Sequence, residues 1–145
     1  MNKIKVVTKS PSETIELGKK LGRYADKGKI IFLEGNLGAG KTTLVKGISE
    51  YYQCTQIAKS PTFILITTYT GKINVNHCDF FRLNYSEEIF DLALDEYLEN
   101  GNLIIEWPEI AKKYLPEPDL KINIEFDGKS EKRTINIDSI AKIKV

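Results

Sequence analysis

The sequence is poor in the features that mark several large protein classes. It has two cysteines, Cys54 and Cys78, in 145 residues, and they form neither a C-x-x-C motif nor a metal-ligand pair. That spacing excludes a disulfide framework, and two reduced structural thiols are expected. No apolar run approaches the ~20 residues of a membrane span. The opening "MNKIKVVTKS" has no long apolar core behind its basic residues, so no signal peptide and a cytoplasmic location are expected. Charge of one sign is not in excess either: 21 Lys and Arg stand against 20 Asp and Glu, a net +1. A chain that grips DNA or RNA over a wide face by itself needs a basic surplus. A nucleic acid would therefore be gripped only with help from another protein, and no membrane partner is expected. Repeats, low-complexity tracts and interdomain linkers are absent. A single domain remains, long enough to bury a core without metals or disulfides.

What is present alternates between helical and strand patterns. "KSPSETIELGKKLGRYADKG" predicts a first helix, with Ser10 as cap, Pro11 at the first helical position and Glu13 completing a capping box. Leu17, Leu21 and Tyr24 or Ala25 share one face, and Gly28 suits a left-handed stop. "KIIFLEG" is continuously apolar, which fits a strand covered on both sides. "KTTLVKGISEYY" reads as a second helix and "TFILITTYTGKINVNHCDF" as two strands about a Thr-Gly turn. "SEEIFDLALDEYLENG" predicts a helix capped by Ser86, with Ile89, Leu92 and Ala93 inward and Gly101 as stop. "NLIIEWP" is a further buried strand, and Pro108 opens a short helix. "DLKINIEFDGKSEKRTINIDSI" alternates about Asp127-Gly128 as a hairpin with one wet face. The expected fold is a three-layer α/β domain with a mixed, mostly parallel central sheet and a C-terminal β-hairpin.

The segment from Gly35 to Thr42, G-N-L-G-A-G-K-T, satisfies G-x-x-x-x-G-K-[ST] between a strand and a helix. A chain that turns sharply, wraps its amides around phosphates and starts a helix aimed at that anion needs glycine at Gly35, Gly38 and Gly40. Ala39 has only to tolerate the turn. Lys41 can reach the β- and γ-phosphates, the Thr42 hydroxyl can ligate Mg²⁺, and Thr43 can meet the α-phosphate.

Such a site also needs carboxylates at strand ends. Asp79 closes "INVNHCD" and Glu106 closes "NLIIE". Glu106, on the more apolar strand, is the better direct metal partner. Asp79 can orient the attacking water or hold metal-bound water, and the two roles are exchangeable on sequence alone. Thr62, in "SPTF", can sense the γ-phosphate as switch loops do. Trp107 is expected near the metal or packed in the core, and His77 in the core or in a hydrogen bond. Arg82 can face a phosphate or a surface carboxylate.

In order and spacing, "EGNLGAGKTTLVKG", "SPTF", "HCDFFRL", "DEYL" and "IIEWPE" resemble the TsaE family of bacterial P-loop ATPases. The resemblance spans nearly the whole chain. The phosphate loop is common to many nucleoside triphosphatases, whereas S-P-T-F, H-x-D-x-x-R-L and E-W are specific. It implies a small P-loop domain that binds ATP with Mg²⁺ and hydrolyses it slowly alone. It also implies TsaD and TsaB as partners, which transfer threonylcarbamoyl to tRNA adenosine (t6A), with hydrolysis resetting that complex. By position it makes Lys41 and Thr42 the phosphate and Mg²⁺ contacts, Glu106 the second Mg²⁺ ligand, Asp79 an acid needed for turnover and Trp107 its functional neighbour. Pro11 to Thr14 would lie near the base, and Arg133 would touch nucleotide. Two residues depart from the family pattern. Asn36 stands where a carboxylate is usual, and Phe81 where a Tyr is common; neither is part of the phosphate cradle.

Two other functions compete. A small metabolite kinase would normally carry an Arg-rich lid, and none follows Thr43. A nucleotide-dependent adaptor would need no acids placed for turnover. A GTPase lacks support, because N-K-x-D does not occur.

Overall fold

The computed structural model describes residues 1–36, 38–56 and 65–145. Among them, seven strands form one sheet in the order β1-β7-β6-β2-β5-β4-β3. Four central strands run parallel: β6 (Leu120–Phe126), β2 (Ile30–Gly35), β5 (Gly101–Glu106) and β4 (Asn74–Asp79). Antiparallel pairs flank them, β3 (Ile66–Tyr69) on β4 at one edge, and β7 (Arg133–Ser139) with β1 (Asn2–Thr8) at the other.

The continuous apolarity of the central strands has the anticipated cause. In β2, Ile31 and Leu33 face one core, with Leu17, Leu21, Leu44 and Ile48 from α1 (Pro11–Gly22) and α2 (Lys41–Tyr51). Ile30 and Phe32 face a second core, with Phe80, Leu103 and Ile105. That side is covered by 3-10 turns and by the short α3 (Leu94–Leu98). The molecule is thus three-layered, as expected. No described helix is long and apolar enough to cross a membrane.

α1 and α2 touch backbone to backbone. A Cβ on Gly47 would lie 2.2 Å from the Ile15 carbonyl oxygen, and one on Gly18 would lie 2.4 Å from that of Leu44. Alanine at position 47 would gain about 1 kcal/mol of helix propensity but must drive the two helices apart. Gly47→Ala should therefore lower stability by a net ~1–3 kcal/mol, read as a lower urea midpoint.

Several expectations are corrected. β1 goes beyond the anticipated elements; the alternation of Ile4, Val6 and Thr8 with Lys3, Lys5 and Val7 makes it a half-buried edge strand. The Ser10 hydroxyl caps α1 by accepting from the Glu13 amide, but Glu13 returns its carboxylate to the Lys9 amide instead of closing the box on Ser10. α1 ends at Gly22, where the Tyr24 and Ala25 amides turn back onto the Leu21 and Gly22 carbonyls; Gly28 (φ +84°) serves the later turn into β2. The helix expected from the Ser86 cap to the Gly101 stop is broken. A 3-10 segment, Ser86–Leu92, gives way to α3 at Ala93, which is exposed and left-handed (φ +51°). On one straight helix Leu94 and Leu98 would point away from Ile89. The break turns Leu94, Tyr97 and Leu98 onto the core that Ile89 and Leu92 already reach. Ser86 caps nothing. Gly101 is not a helix stop but the first residue of β5, where a Cβ would lie 2.0 Å from the Asn74 carbonyl oxygen.

Neither cysteine is paired. Cys78 is fully buried, and burial pushes its thiol far above the ordinary range, with the Asp79 charge adding to the shift. Burial also raises half-buried Cys54. At mildly alkaline pH, iodoacetamide should label Cys54 slowly and Cys78 only after unfolding, because the thiolate is the nucleophile. Mass spectrometry of the native and unfolded chain reads this directly.

Candidate nucleotide site

β2 delivers the chain to the loop at Gly35, and α2 takes it away at Lys41. Gly35, Gly38 and Gly40 have φ of +153°, +81° and +106°, values that other residues rarely adopt. At Gly35 the neighbouring strand adds a second constraint, since a Cβ would lie 2.8 Å from the Ile124 carbonyl oxygen. Gly40 occupies the N-cap of α2, so the helix dipole points into the loop. Ala39 is buried, and its amide bonds back to the Asn36 carbonyl at 3.0 Å. Leu37 lies outside the described residues.

Lys41 is buried, and its Nζ lies 3.1 Å from Glu106 Oε1. The other carboxylate oxygen, Oε2, accepts a hydrogen bond from Nε2 of the fully buried His77. Adjacent parallel strands explain the meeting: β4 brings His77, β5 brings Glu106, and the register sets Asp79 beside Glu106. Burial alone would push the Glu106 carboxyl up. The His77 hydrogen bond and the Lys41 ammonium outweigh it and hold the carboxyl below the ordinary value of 4.5. The ammonium of Lys41 also sits 5.1 Å over the Trp107 ring. Trp107 is left-handed (φ +57°) at the end of β5, and its ring meets that of exposed Phe81 at 5.0 Å. Phe81 makes this ring contact without a hydroxyl.

Beside the loop opens a cleft of about 450 Å³, lined by Gly35, Asn36, Lys41, Trp107, Glu109 and Phe126 among others. Arg133 ties the hairpin to the loop. Its Nε donates to the Ala39 carbonyl at 2.9 Å, Nη2 to that of Gly38 at 3.4 Å, and its guanidinium lies 3.7 Å over the Phe126 ring. Arg133→Ala should therefore loosen the cradle and weaken ATP binding ~10-fold, or about 1.4 kcal/mol. Calorimetry at fixed Mg²⁺ checks it.

Not every anticipated residue converges here. Asp79 is occupied locally: Oδ1 accepts from the Phe81 amide at 3.0 Å, capping the 3-10 turn Phe80–Arg82, and Oδ2 lies 3.9 Å from Arg82 Nε. Arg82 thus faces a carboxylate of its own chain. Pro11 opens α1, and Thr14 is buried with its hydroxyl 2.7 Å from that of Thr8. The helices run side by side, Gly18 near Leu44 and Gly22 near Tyr51, so the start of α1 lies at the loop end of the molecule. Thr62, with the rest of "SPTF", lies outside the described residues. Phe126 and Glu109 were not anticipated; no local pattern marks residues that reach the loop only through the fold.

The residues fit a magnesium-bound triphosphate. A strand-to-helix turn of left-handed glycines leaves backbone room for phosphate. The oxygen donors of Thr42 and Glu106 suit Mg²⁺, which keeps much of its shell for water and phosphate. Among the described residues no cluster of three or more His, Cys, Asp or Glu builds an all-protein metal cage.

A glycine turn entering a helix, its lysine held by the carboxylate of a neighbouring parallel strand, defines a P-loop nucleotide-binding protein of the α/β class. The sequence model of the TsaE family, "Threonylcarbamoyl adenosine biosynthesis protein TsaE", matches residues 8–135. The chain belongs to the TsaE family. It is 38% identical over 134 residues to the tRNA threonylcarbamoyladenosine biosynthesis protein TsaE of Bacillus subtilis, covering 91% of this chain and 84% of that one. The Rickettsia bellii protein of the same name is 37% identical, with 90% and 92% covered, and that of Treponema pallidum 34%, with 88% and 97%. The crystal structure of Bacillus subtilis YdiB superposes with a TM-score of 0.78 at 32% identity, over 97% of this chain and 87% of that one. The family resemblance carried by the five sequence motifs therefore holds, as does the fold class.

Proposed function

We propose that this chain is the Mg²⁺-dependent ATPase of a tRNA-modifying assembly, acting with a TsaD–TsaB transferase pair in the formation of t6A. The observation that carries this is the Lys41–Glu106 pair at 3.1 Å, at the mouth of the glycine turn. It brings the phosphate-binding cation and the candidate metal carboxylate to one point. The loop amides and the α2 dipole hold the phosphate tail. Lys41 then exchanges the carboxylate for the β- and γ-phosphates. Thr42 and Glu106 would hold Mg²⁺, which would supply positive charge to neutralise the phosphates. Trp107 walls the cleft and shields Lys41 from water. Asp79, beside Glu106, orients the attacking water once the turn at Phe81 releases one oxygen, and Thr62 senses the γ-phosphate. Pro11 and Thr14 lie toward the base, Thr43 meets the α-phosphate, and Arg133 steadies Gly38 and Ala39. Hydrolysis is slow in the isolated chain and resets the transferase pair between turnovers. The near-zero net charge leaves tRNA to the complex.

The test is capture of purified TsaD and TsaB by the immobilised chain, with and without Mg²⁺-ATP. Nucleotide-dependent capture, together with ATP turnover and t6A formation in the mixture, is expected. Turnover without capture, or phosphorylation of a small metabolite, would contradict the assignment.

A further inference from the structure

His77 is a buried, polar and chemically versatile side chain that the hydrolysis chemistry above leaves without a task. It is 0% exposed, between Asn76 and Cys78 on β4 and paired with Thr67 and Ile104 of the two neighbouring strands. Its Nε2 contacts Glu106 Oε2, and among the described residues Nδ1 has no partner. A carboxylate only accepts, so Nε2 carries the hydrogen and donates. Placing a histidine here is worthwhile only if the bond it makes matters, since a leucine would fill the strand without an unpartnered nitrogen.

Glu106 is held from two sides with different prospects. Lys41 holds Oε1 from the loop, and Lys41 is the group that must leave when phosphate enters. His77 holds Oε2 from the strand behind and has no competing ligand. When Lys41 goes, the carboxylate would be free to rotate, except that one oxygen stays fixed on a buried ring whose strand is paired on both sides. We infer that His77 is a positioning residue: it keeps the Glu106 carboxylate aimed into the site after Lys41 has moved to the phosphates, so that the Oε1 lone pairs meet the metal without reorganisation. Outer partners that orient a metal-binding carboxylate typically contribute 10–100-fold to metal affinity. The inference rests on the nucleotide reading of the site.

The test separates positioning from packing. ATP affinity is measured by calorimetry with EDTA and with Mg²⁺, and the ratio of the two is the gain due to metal. Wild type, His77→Leu, His77→Asn and His77→Gln are compared, with thermal midpoints recorded. The Gln amide reaches as far as Nε2 and can donate to Glu106; the Asn amide, of the same polarity, falls one bond short. His77→Leu and His77→Asn should each lose about tenfold or more of the metal gain, with affinity in EDTA unchanged within about twofold. His77→Gln should recover most of it. Should Leu not fold, the Asn–Gln pair carries the same contrast. An unchanged metal gain in Leu or Asn overturns the positioning role. An equal loss of affinity with and without metal, not rescued by Gln, also overturns it and makes His77 a packing residue. A wild-type chain that binds ATP with no gain from Mg²⁺ refutes the metal role of Glu106 and the inference with it, and one that binds ATP in neither condition refutes the nucleotide reading itself.

Discussion

Lys41→Ala should lose ATP binding by roughly 100- to 1000-fold, about 3–4 kcal/mol, because two charge-assisted hydrogen bonds to phosphate are removed at once. The ammonium is not a mobile surface charge. It is buried, fixed 3.1 Å from Glu106 and roofed by Trp107, so it needs only a short displacement to meet a ligand in the loop. Its removal also strips the Glu106 carboxylate of its one described cation, leaving the His77 hydrogen bond. Some loss of stability therefore accompanies the loss of binding, and the thermal midpoint must be read beside the affinity. Calorimetry with Mg²⁺-ATP on the folded variant decides. Unchanged affinity would mean that the triphosphate does not use this loop.

Replacing Glu106 should have effects of opposite sign on two quantities. Glu106→Gln keeps the volume and a hydrogen-bonding oxygen for Lys41 but removes the charge that binds metal. Hydrolysis with the partner proteins present should fall by at least ~100-fold, the scale of losing a preorganised electrostatic contact. Affinity for ATP in EDTA should hold or rise, because Lys41 no longer has to abandon an ion pair to reach phosphate. Glu106→Ala should behave worse than Gln in stability, by ~3–5 kcal/mol, the cost typical of leaving one partner of a buried ion pair alone. Parallel turnover and metal-free binding measurements on the Gln variant would show both effects. A loss of metal-free affinity would mean that the carboxylate assists phosphate binding instead of competing with it for Lys41.

The phosphate loop was legible because its chemistry is local. Residues within one turn of chain supply the glycines, the cation and the hydroxyl, and the flanking patterns name a strand and a helix. Glu106 and Asp79 were legible as strand ends. What they touch was not, because that depends on register: His77 meets Glu106 only because β4 and β5 pair in parallel with Asp79 opposite Glu106. Asp79 shows the complementary limit. Two residues beyond it an amide turns back onto its carboxylate, a capping interaction that a strand-end pattern does not announce. Arg133 was named only through resemblance, as a nucleotide contact; its reach to Ala39 was not anticipated, since the two residues lie 94 positions apart. The break at Ala93 escaped detection because 3.6-residue periodicity continues on either side of it. Only the need to bring Leu94 and Leu98 onto the same core as Ile89 makes the kink worthwhile. β1 hid in a basic stretch whose alternation is that of an edge strand with one wet face.

The claim beneath all of these expectations is that the turn from Gly35 to Thr43 is the seat of the triphosphate and that Lys41 changes partner when it is filled. A crystal structure with Mg²⁺ and a non-hydrolysable ATP analogue measures this directly. Phosphates wrapped by the loop amides are expected, with Lys41 Nζ moved from Glu106 onto phosphate oxygens and Glu106 still on His77. An analogue bound elsewhere, with Lys41 still on Glu106 and the loop empty, would contradict it.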